Sequence, residues 1–174
     1  MTDISGHPLR LRVAHLDPHR PNSFALRPDA DTRAAIAQEL DLIGLPRLGF
    51  MGQIRATSGE AWELQGTLTA RITQACVVTL KPVKTTLETQ ARRLYTPHLS
   101  TPESDEVEMP DDELEPLGQF IDVSAVMVEE LALALPEYPR AEGADLGNPA
   151  KDEEPGADTR RPFAGLDQLL RGKD

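Results

Sequence analysis

The sequence predicts an α+β fold: an antiparallel β-sheet, able to curl toward a barrel and covered by two helices, with a mobile acidic loop and a flexible C-terminal tail ending in a short helix. Three observations predict it. Residues 45–95 alternate apolar and polar side chains with period two, the signature of a half-buried strand. Two separate segments carry N-cap residues followed by apolar stripes at helical spacing. Long acidic and proline-rich stretches interrupt this regular part rather than lying at one end.

The first ordered segment, residues 7–26, reads as extended. Leu9, Leu11, Val13 and His15 alternate with Arg10 and Arg12, and Pro8, Pro18 and Pro21 bracket the run, which suits an edge strand because proline cannot donate to a ladder. Asp29 and Asp31 are candidate N-caps for a helix over residues 32–43, with Ile36, Leu40 and Ile43 at i, i+4 and i+7 and Gly44 at the C′ position. Leu48, Phe50, Ile54 and Ala56 then return to period two, and Ser58-Gly59 turns the chain into its longest strand.

From Trp62 to Leu80 one parity holds Trp62, Leu64, Leu68, Ala70, Ile72, Cys76, Val78 and Leu80, and the other holds Glu63, Gln65, Thr67, Thr69, Arg71, Thr73 and Thr79. Strands rarely run so long, so Gly66 or Gln74 should mark a bulge or break. A further Thr-rich alternating run ends at Tyr95. The predicted core comprises Ile36, Leu40, Phe50, Ile54, Trp62, Leu64, Leu68, Ile72, Cys76, Val78, Leu131 and Leu135.

Residues 96–118 read as the mobile acidic loop, because four prolines and eight carboxylates leave too little apolar surface to offset ordering entropy. Asp122 can cap a helix over residues 123–135 whose stripe of Val123, Val126, Met127, Leu131 and Leu135 is the best cover for the sheet; Pro136 and Pro139 end it. The domain therefore spans residues 1–139. Residues 140–161 form a flexible linker, and 162–174 a short docking helix with Phe163, Leu166 and Leu169 on one side.

The chemistry looked for is absent. The 174 residues contain one cysteine, Cys76, so neither an intrachain disulfide nor a multi-Cys zinc site can form. On the apolar parity, its thiol is expected to act as a small hydrophobe. His7, His15, His19 and His98 have no ligand spacing, and no nucleophile elbow, phosphate loop or dinucleotide fingerprint occurs. These absences predict a protein that is not an enzyme, takes no cofactor, metal or small-molecule substrate, and touches no membrane. The N-terminus lacks the basic start and apolar run of a signal peptide, which predicts a cytoplasmic location.

Net charge is −11, but it is divided: residues 1–95 hold 12 basic and 9 acidic side chains, and residues 96–174 hold 6 and 20. An acidic chain is by itself a poor phosphate binder, and the acidic second half slightly favours holding a basic protein over gripping RNA.

Several stretches taken in order resemble the YceD family, the large ribosomal RNA subunit accumulation proteins. They are the strand ending in Cys76-Val77-Val78-Thr79-Leu80-Lys81-Pro82-Val83, the acidic loop, Ile121-Asp122-Val123 with Val128-Glu129-Glu130-Leu131-Ala132-Leu133-Ala134-Leu135-Pro136, and the closing Pro162-Phe163-Ala164-Gly165-Leu166. The likeness runs from about Leu48 to Leu170. Many family members carry Cys-x-x-Cys at the strand end; here Thr79 stands at the second position, so a metal or redox role for that pair is absent. The family's Asn-Pro-Phe-Ala is also split, with Asn148-Pro149 upstream and Arg161-Pro162 before Phe163.

The resemblance implies a role in ribosome biogenesis, promoting accumulation of large-subunit (23S) rRNA, and it names no catalytic residues. Two partners fit the charges. Pre-ribosomal RNA would be met by Arg10, Arg12, Arg20, Lys81, Lys84, Arg92 and Arg93. A basic ribosomal or assembly protein would be met by Asp105, Glu106, Asp111, Asp112 and Glu113, with Phe163, Leu166 and Leu169 as apolar contacts. Without the resemblance, the residues fit a generic acidic protein–protein interaction module unrelated to ribosomes.

Overall fold

A computed structural model describes residues 2–4, 9–97 and 114–145. Met1–Glu142 forms one compact unit. The remaining unit, Gly143–Asp174, is described only over its first three residues, so the linker and the docking helix expected at 140–174 lie almost wholly outside the described part.

The fold is α+β. Three long antiparallel strands, β4 (Gly44–Ala56), β5 (Trp62–Ala75) and β6 (Pro82–Thr96), form its centre. β3 (Asn22–Leu26) pairs antiparallel with β4, and β1 (Thr2–Ile4) lies parallel to β3 at one edge. At the other edge β7 (Leu114–Pro116) runs parallel to β6. The sheet order is β1-β3-β4-β5-β6-β7, so the sheet is mixed rather than purely antiparallel, and among the described residues it does not close into a barrel. A separate two-stranded ribbon joins β2 (Arg10–Arg12) to β8 (Phe120–Asp122).

The period-two reading holds along the centre. Phe50, Ile54, Leu64, Leu68 and Ile72 are fully buried on one face, while Arg47, Met51, Arg55, Gln65 and Arg71 point the other way and are exposed. β5 has no break at Gly66 or Gln74: its pairing with β6 is continuous from Trp62 to Ala75. The irregularity instead lies in β4, where register shifts between Gly44 and Arg47.

Gly66 has a different use. It pairs with Gly52, and the strands come so close that a β-carbon on Gly52 would overlap the Gln65 carbonyl oxygen and sit 2.6 Å from Gly66 Cα. A β-carbon on Gly66 would lie 2.6 Å from the Phe50 ring. The bare glycines leave space that Phe24 and Phe50 fill, their ring centroids 5.1 Å apart and tilted by 53°.

Helix α1 spans Ala30–Glu39, capped by Asp29, whose carboxylate accepts from the Thr32 N–H at 2.8 Å. It ends before the predicted Ile43. Asp41 adopts φ +52° and stands at C′ in place of a glycine. The Leu42 N–H then bonds back to the Ala37 carbonyl at 2.8 Å, closing a Schellman motif. That reversal buries Leu42 and leaves Ile43 59% exposed, so the i+7 position of the predicted stripe is not a core residue. Leu40 is only partly buried.

Helix α2 spans Val123–Ala134 and buries Val123, Val126, Met127 and Leu131 against the sheet core. Asp122 serves it twice. One carboxylate oxygen accepts from the Ala125 N–H at 3.1 Å, and the other pairs with Arg10 at 3.1 Å.

Two expectations are corrected at the ends of β6. Leu80, read onto the buried parity, is 77% exposed because the chain turns there with φ +59°; Val78 is only half-buried. Residues 114–118 do not belong to the acidic loop. Arg93 points to the inner face between Ala91 and Tyr95, and its guanidinium meets Glu130 of α2 at 2.7 Å and Glu115 of β7 at 3.2 Å. This clamp, with the Leu117 N–H bonded to the Thr96 carbonyl at 2.9 Å, gives β7 an anchor that local composition does not reveal. Residues 98–113 lie outside the described part.

The clamp and the apolar core make separable predictions. Arg93→Ala should cost about 3–5 kcal/mol in urea unfolding, because it strands the Glu130 carboxylate in the interior, while Arg92→Ala on the exposed face should cost at most about 1 kcal/mol. Arg93→Met with Glu130→Leu should recover most of the loss; failure to recover would mean the ion pair does more than neutralise its own charges. Leu131→Ala should cost about 2–5 kcal/mol, and a loss below about 0.5 kcal/mol would contradict its burial.

Candidate functional site

Side chains at the outward positions of a sheet face solvent unless another element covers them. Here they are strongly basic. Arg47 and Arg55 project from β4, Arg71 from β5, Lys84 and Arg92 from β6, and Arg27 follows β3; all are exposed. The register sets Arg47 directly opposite Arg71, a like-charge pairing that costs stability in a sheet. Among the side chains described, the carboxylates on this face are Glu63 and Glu88. Glu63 is engaged: Arg92 approaches to 2.7 Å and holds its carboxyl below the ordinary range. Arg27, Arg33, Arg47 and Arg71 make no ion pair with any described carboxylate.

The seven basic residues expected to contact RNA do not gather into one site. Arg10 pairs with Asp122 and lies 5.3 Å over the Phe120 ring, and Arg12 is exposed on the same ribbon. Arg20 is exposed in the connection before β3, and Lys81 in the turn before β6. Only Lys84 and Arg92 belong to the basic sheet face. Arg93 is withdrawn from it: only 15% of its side chain is exposed, and both its contacts are internal. The residues that sequence reasoning missed are Arg27, Arg33, Arg47, Arg55 and Arg71. Strand parity could have put Arg47, Arg55 and Arg71 on one face, but their alignment required the β4–β5 register. The candidate protein contacts Asp105, Glu106, Asp111, Asp112, Glu113, Phe163, Leu166 and Leu169 all lie outside the described residues.

A second feature stands at the far end of β5. Cys76 begins the turn into β6, with the Leu80 N–H bonded to its carbonyl at 2.9 Å and its own N–H donating to Lys81 at 2.8 Å. The turn is fastened to the stretch after α2, since the Val77 N–H donates to the Pro139 carbonyl at 2.9 Å and Gln74 Nε2 to that of Pro136 at 3.2 Å. The side chain of Cys76 is wholly buried, but it is not only a hydrophobe. Its sulfur accepts from the Thr79 N–H at 3.4 Å and the Ala141 N–H at 3.3 Å. The Thr79 hydroxyl first, and then the Ala141 amide, lower the thiol to about 6 against the opposing effect of burial. The thiol is thus buried as expected, but its neighbours also make it a hydrogen-bond acceptor. Elsewhere, burial followed by the Glu115 carboxylate pushes the Tyr95 phenol above its ordinary range.

A groove of about 630 Å³ between α1 and the start of β4 offers Arg33, Gln38 and Asp41 among apolar walls. It contains no paired nucleophile and base. Among the described residues no group of three or more His, Cys, Asp or Glu is arranged to hold a metal, and no helix is long and apolar enough to cross a membrane.

Residues 64–170, more than half of the chain, match the family described as "Large ribosomal RNA subunit accumulation protein YceD". The chain belongs to the YceD family. The match begins in β5 and takes in β6, the acidic segment, β8, α2 and the terminal Phe163–Leu170 stretch, and it leaves β1–β4 and α1 outside. No curated protein and no solved structure matches the chain. A general connection with the large ribosomal subunit follows from the family.

The thiol gives a test of the turn. It ionises near pH 6 when folded, whereas a free cysteine does so near ~8.5. The ionised form therefore stabilises the fold fully above ~8.5, and that contribution is lost as pH falls through about 6. Following thiolate ultraviolet absorbance in the folded protein should give a midpoint near 6, and Thr79→Val should move it upward. A wild-type midpoint at or above ~8.5 would contradict the donor arrangement around Sγ.

Proposed function

We propose that this chain is a non-enzymatic, cytoplasmic ribosome-biogenesis factor that promotes accumulation of large-subunit (23S) rRNA by contacting precursor rRNA directly. Membership of the YceD family carries the reading; the basic outer face of the sheet supports RNA as the partner. Arginine suits this task because its planar fork meets phosphate oxygens in pairs and keeps its charge at any physiological pH. Contacts of this kind position a backbone without reading its sequence. Discrimination among RNAs would then come from the shape of the duplexes and loops that the face can follow.

One observation favours a second reading. Residues 96–174 hold 20 acidic and 6 basic side chains, which suits holding a basic ribosomal or assembly protein. The readings diverge on a variant neutralising Asp105, Glu106, Asp111, Asp112 and Glu113 together. Direct RNA contact predicts tighter binding of naked precursor rRNA by this variant, most clearly at low salt where repulsion is least screened. Protein holding predicts no such gain and a weaker hold on the basic partner.

Filter binding on precursor large-subunit rRNA should give roughly nanomolar affinity in about 0.15 M salt, well below non-specific dissociation constants. Purification of the tagged chain from cells should bring down large-subunit precursors. A partner set without ribosomal components would sink the proposal and favour the generic interaction module.

A further inference from the structure

Three arginines from separate parts of the chain meet at one concavity on the outer face. Arg27 follows β3, Arg33 lies in α1, and Arg47 is the first β4 residue in regular register after the irregularity. Together with Gly49 and Thr69 they line a space of about 240 Å³. Arg33 is fixed there. Its Nη1 donates to the Pro28 carbonyl at 2.7 Å and its Nε to the Leu45 carbonyl at 3.2 Å. Both partners are neutral, so the guanidinium is oriented without an ion pair to any described carboxylate, and three of its five N–H donors have further capacity.

Among the described residues no carboxylate forms an ion pair with Arg27, Arg33 or Arg47. Asp29 is engaged as the cap of α1, and Glu88 stands opposite Thr69 on β6. Arg71, across the ladder from Arg47, adds positive charge. Such an arrangement disfavours the empty protein and becomes favourable when an anion enters.

We infer that this concavity is the seat for one backbone phosphate of the RNA, the point that fixes where the nucleic acid enters the basic face. The inference rests on the rRNA reading above. A phosphodiester oxygen pair suits guanidinium forks converging from a strand, a helix and the connection between β3 and α1. Thr69 adds a hydroxyl, and the missing side chain at Gly49 lets the backbone come close to a ligand.

The test uses Arg27→Ala, Arg47→Ala and the double variant of the full chain, since both side chains are exposed and Arg33 also ties Pro28 to Leu45. Each is titrated with precursor rRNA across a salt series, after a thermal melt confirms folding. Each single change should weaken binding by about tenfold and flatten the salt dependence by roughly 0.7–0.9 in slope, the value for one phosphate. The double variant should flatten it no further, because the same phosphate is lost. A double variant whose slope changes add would place the two arginines on separate phosphates and overturn the seat. So would unchanged slopes in all variants while the wild-type chain still binds rRNA, an outcome that leaves the broader reading intact. Failure of the wild-type chain to bind rRNA would remove the reading itself. Inorganic phosphate and a polyglutamate peptide are titrated alongside; preference for either over rRNA would reassign the concavity to a free anion or an acidic protein.

Discussion

At Gly52 and Gly66 the central strands approach so closely that neither position has room for a β-carbon, and the Phe24 and Phe50 rings occupy the space side chains would otherwise fill. The row continues through Ala91 on β6, so bulk is kept small across three strands while bulky residues flank it. This constraint fixes register, because a one-residue slip would put Met51 or Gln53 opposite Gly66 and turn the apolar set to water. Register in turn decides which charged residues meet. It sets Arg47 against Arg71 on the outside, and Leu64 against Arg93 on the inside. Both the basic face and the interior clamp are therefore consequences of how two glycines let β4 and β5 meet.

The Arg93 clamp shows how one residue can link three elements that composition keeps apart. A guanidinium inside an apolar layer is costly unless its donors are satisfied, and here carboxylates from α2 and β7 satisfy it. The arrangement holds the helix over β6 and returns the chain to the sheet after the acidic segment. Helix, strand and returning segment are thus coupled, so a change in any one of them is felt by the other two.

Much of the fold was legible because period two survives in β4, β5 and β6 and because both helices carry an Asp cap. What was not legible depended on contacts distant in sequence. Ile43 fits a helical stripe on paper, but Asp41 reverses the chain and buries Leu42 in its place. Glu115 looks like one more loop carboxylate until Arg93 is found facing it. The basic face was half legible: parity points Arg47, Arg55 and Arg71 outward, yet Arg33 reaches the same concavity from a helix through a bond to Leu45, which no spacing rule anticipates. The N-terminal run Leu9–Val13 alternates like a sheet strand but pairs with β8 instead, since the edge of β4 is taken by β3.

In the proposed contact with RNA, a chain of net charge −11 carries opposing charges that act over different ranges. Exposed carboxylates repel a polyanion through solvent, and that repulsion fades within about 8 Å at physiological ionic strength. Guanidinium groups in hydrogen-bond contact with a phosphate are screened far less, since water and ions are displaced from between them. In that proposal the acidic excess would lower the rate and strength of indiscriminate encounters, while the basic face would retain its attraction for a backbone that fits it. Specificity is a difference between affinities, and repulsion of the wrong partner contributes as directly as attraction to the right one. Under the proposed rRNA reading, the divided charge would therefore have one purpose: the acidic half would raise the cost of every loose electrostatic contact, and only an RNA that reaches the arginines in register would recover it.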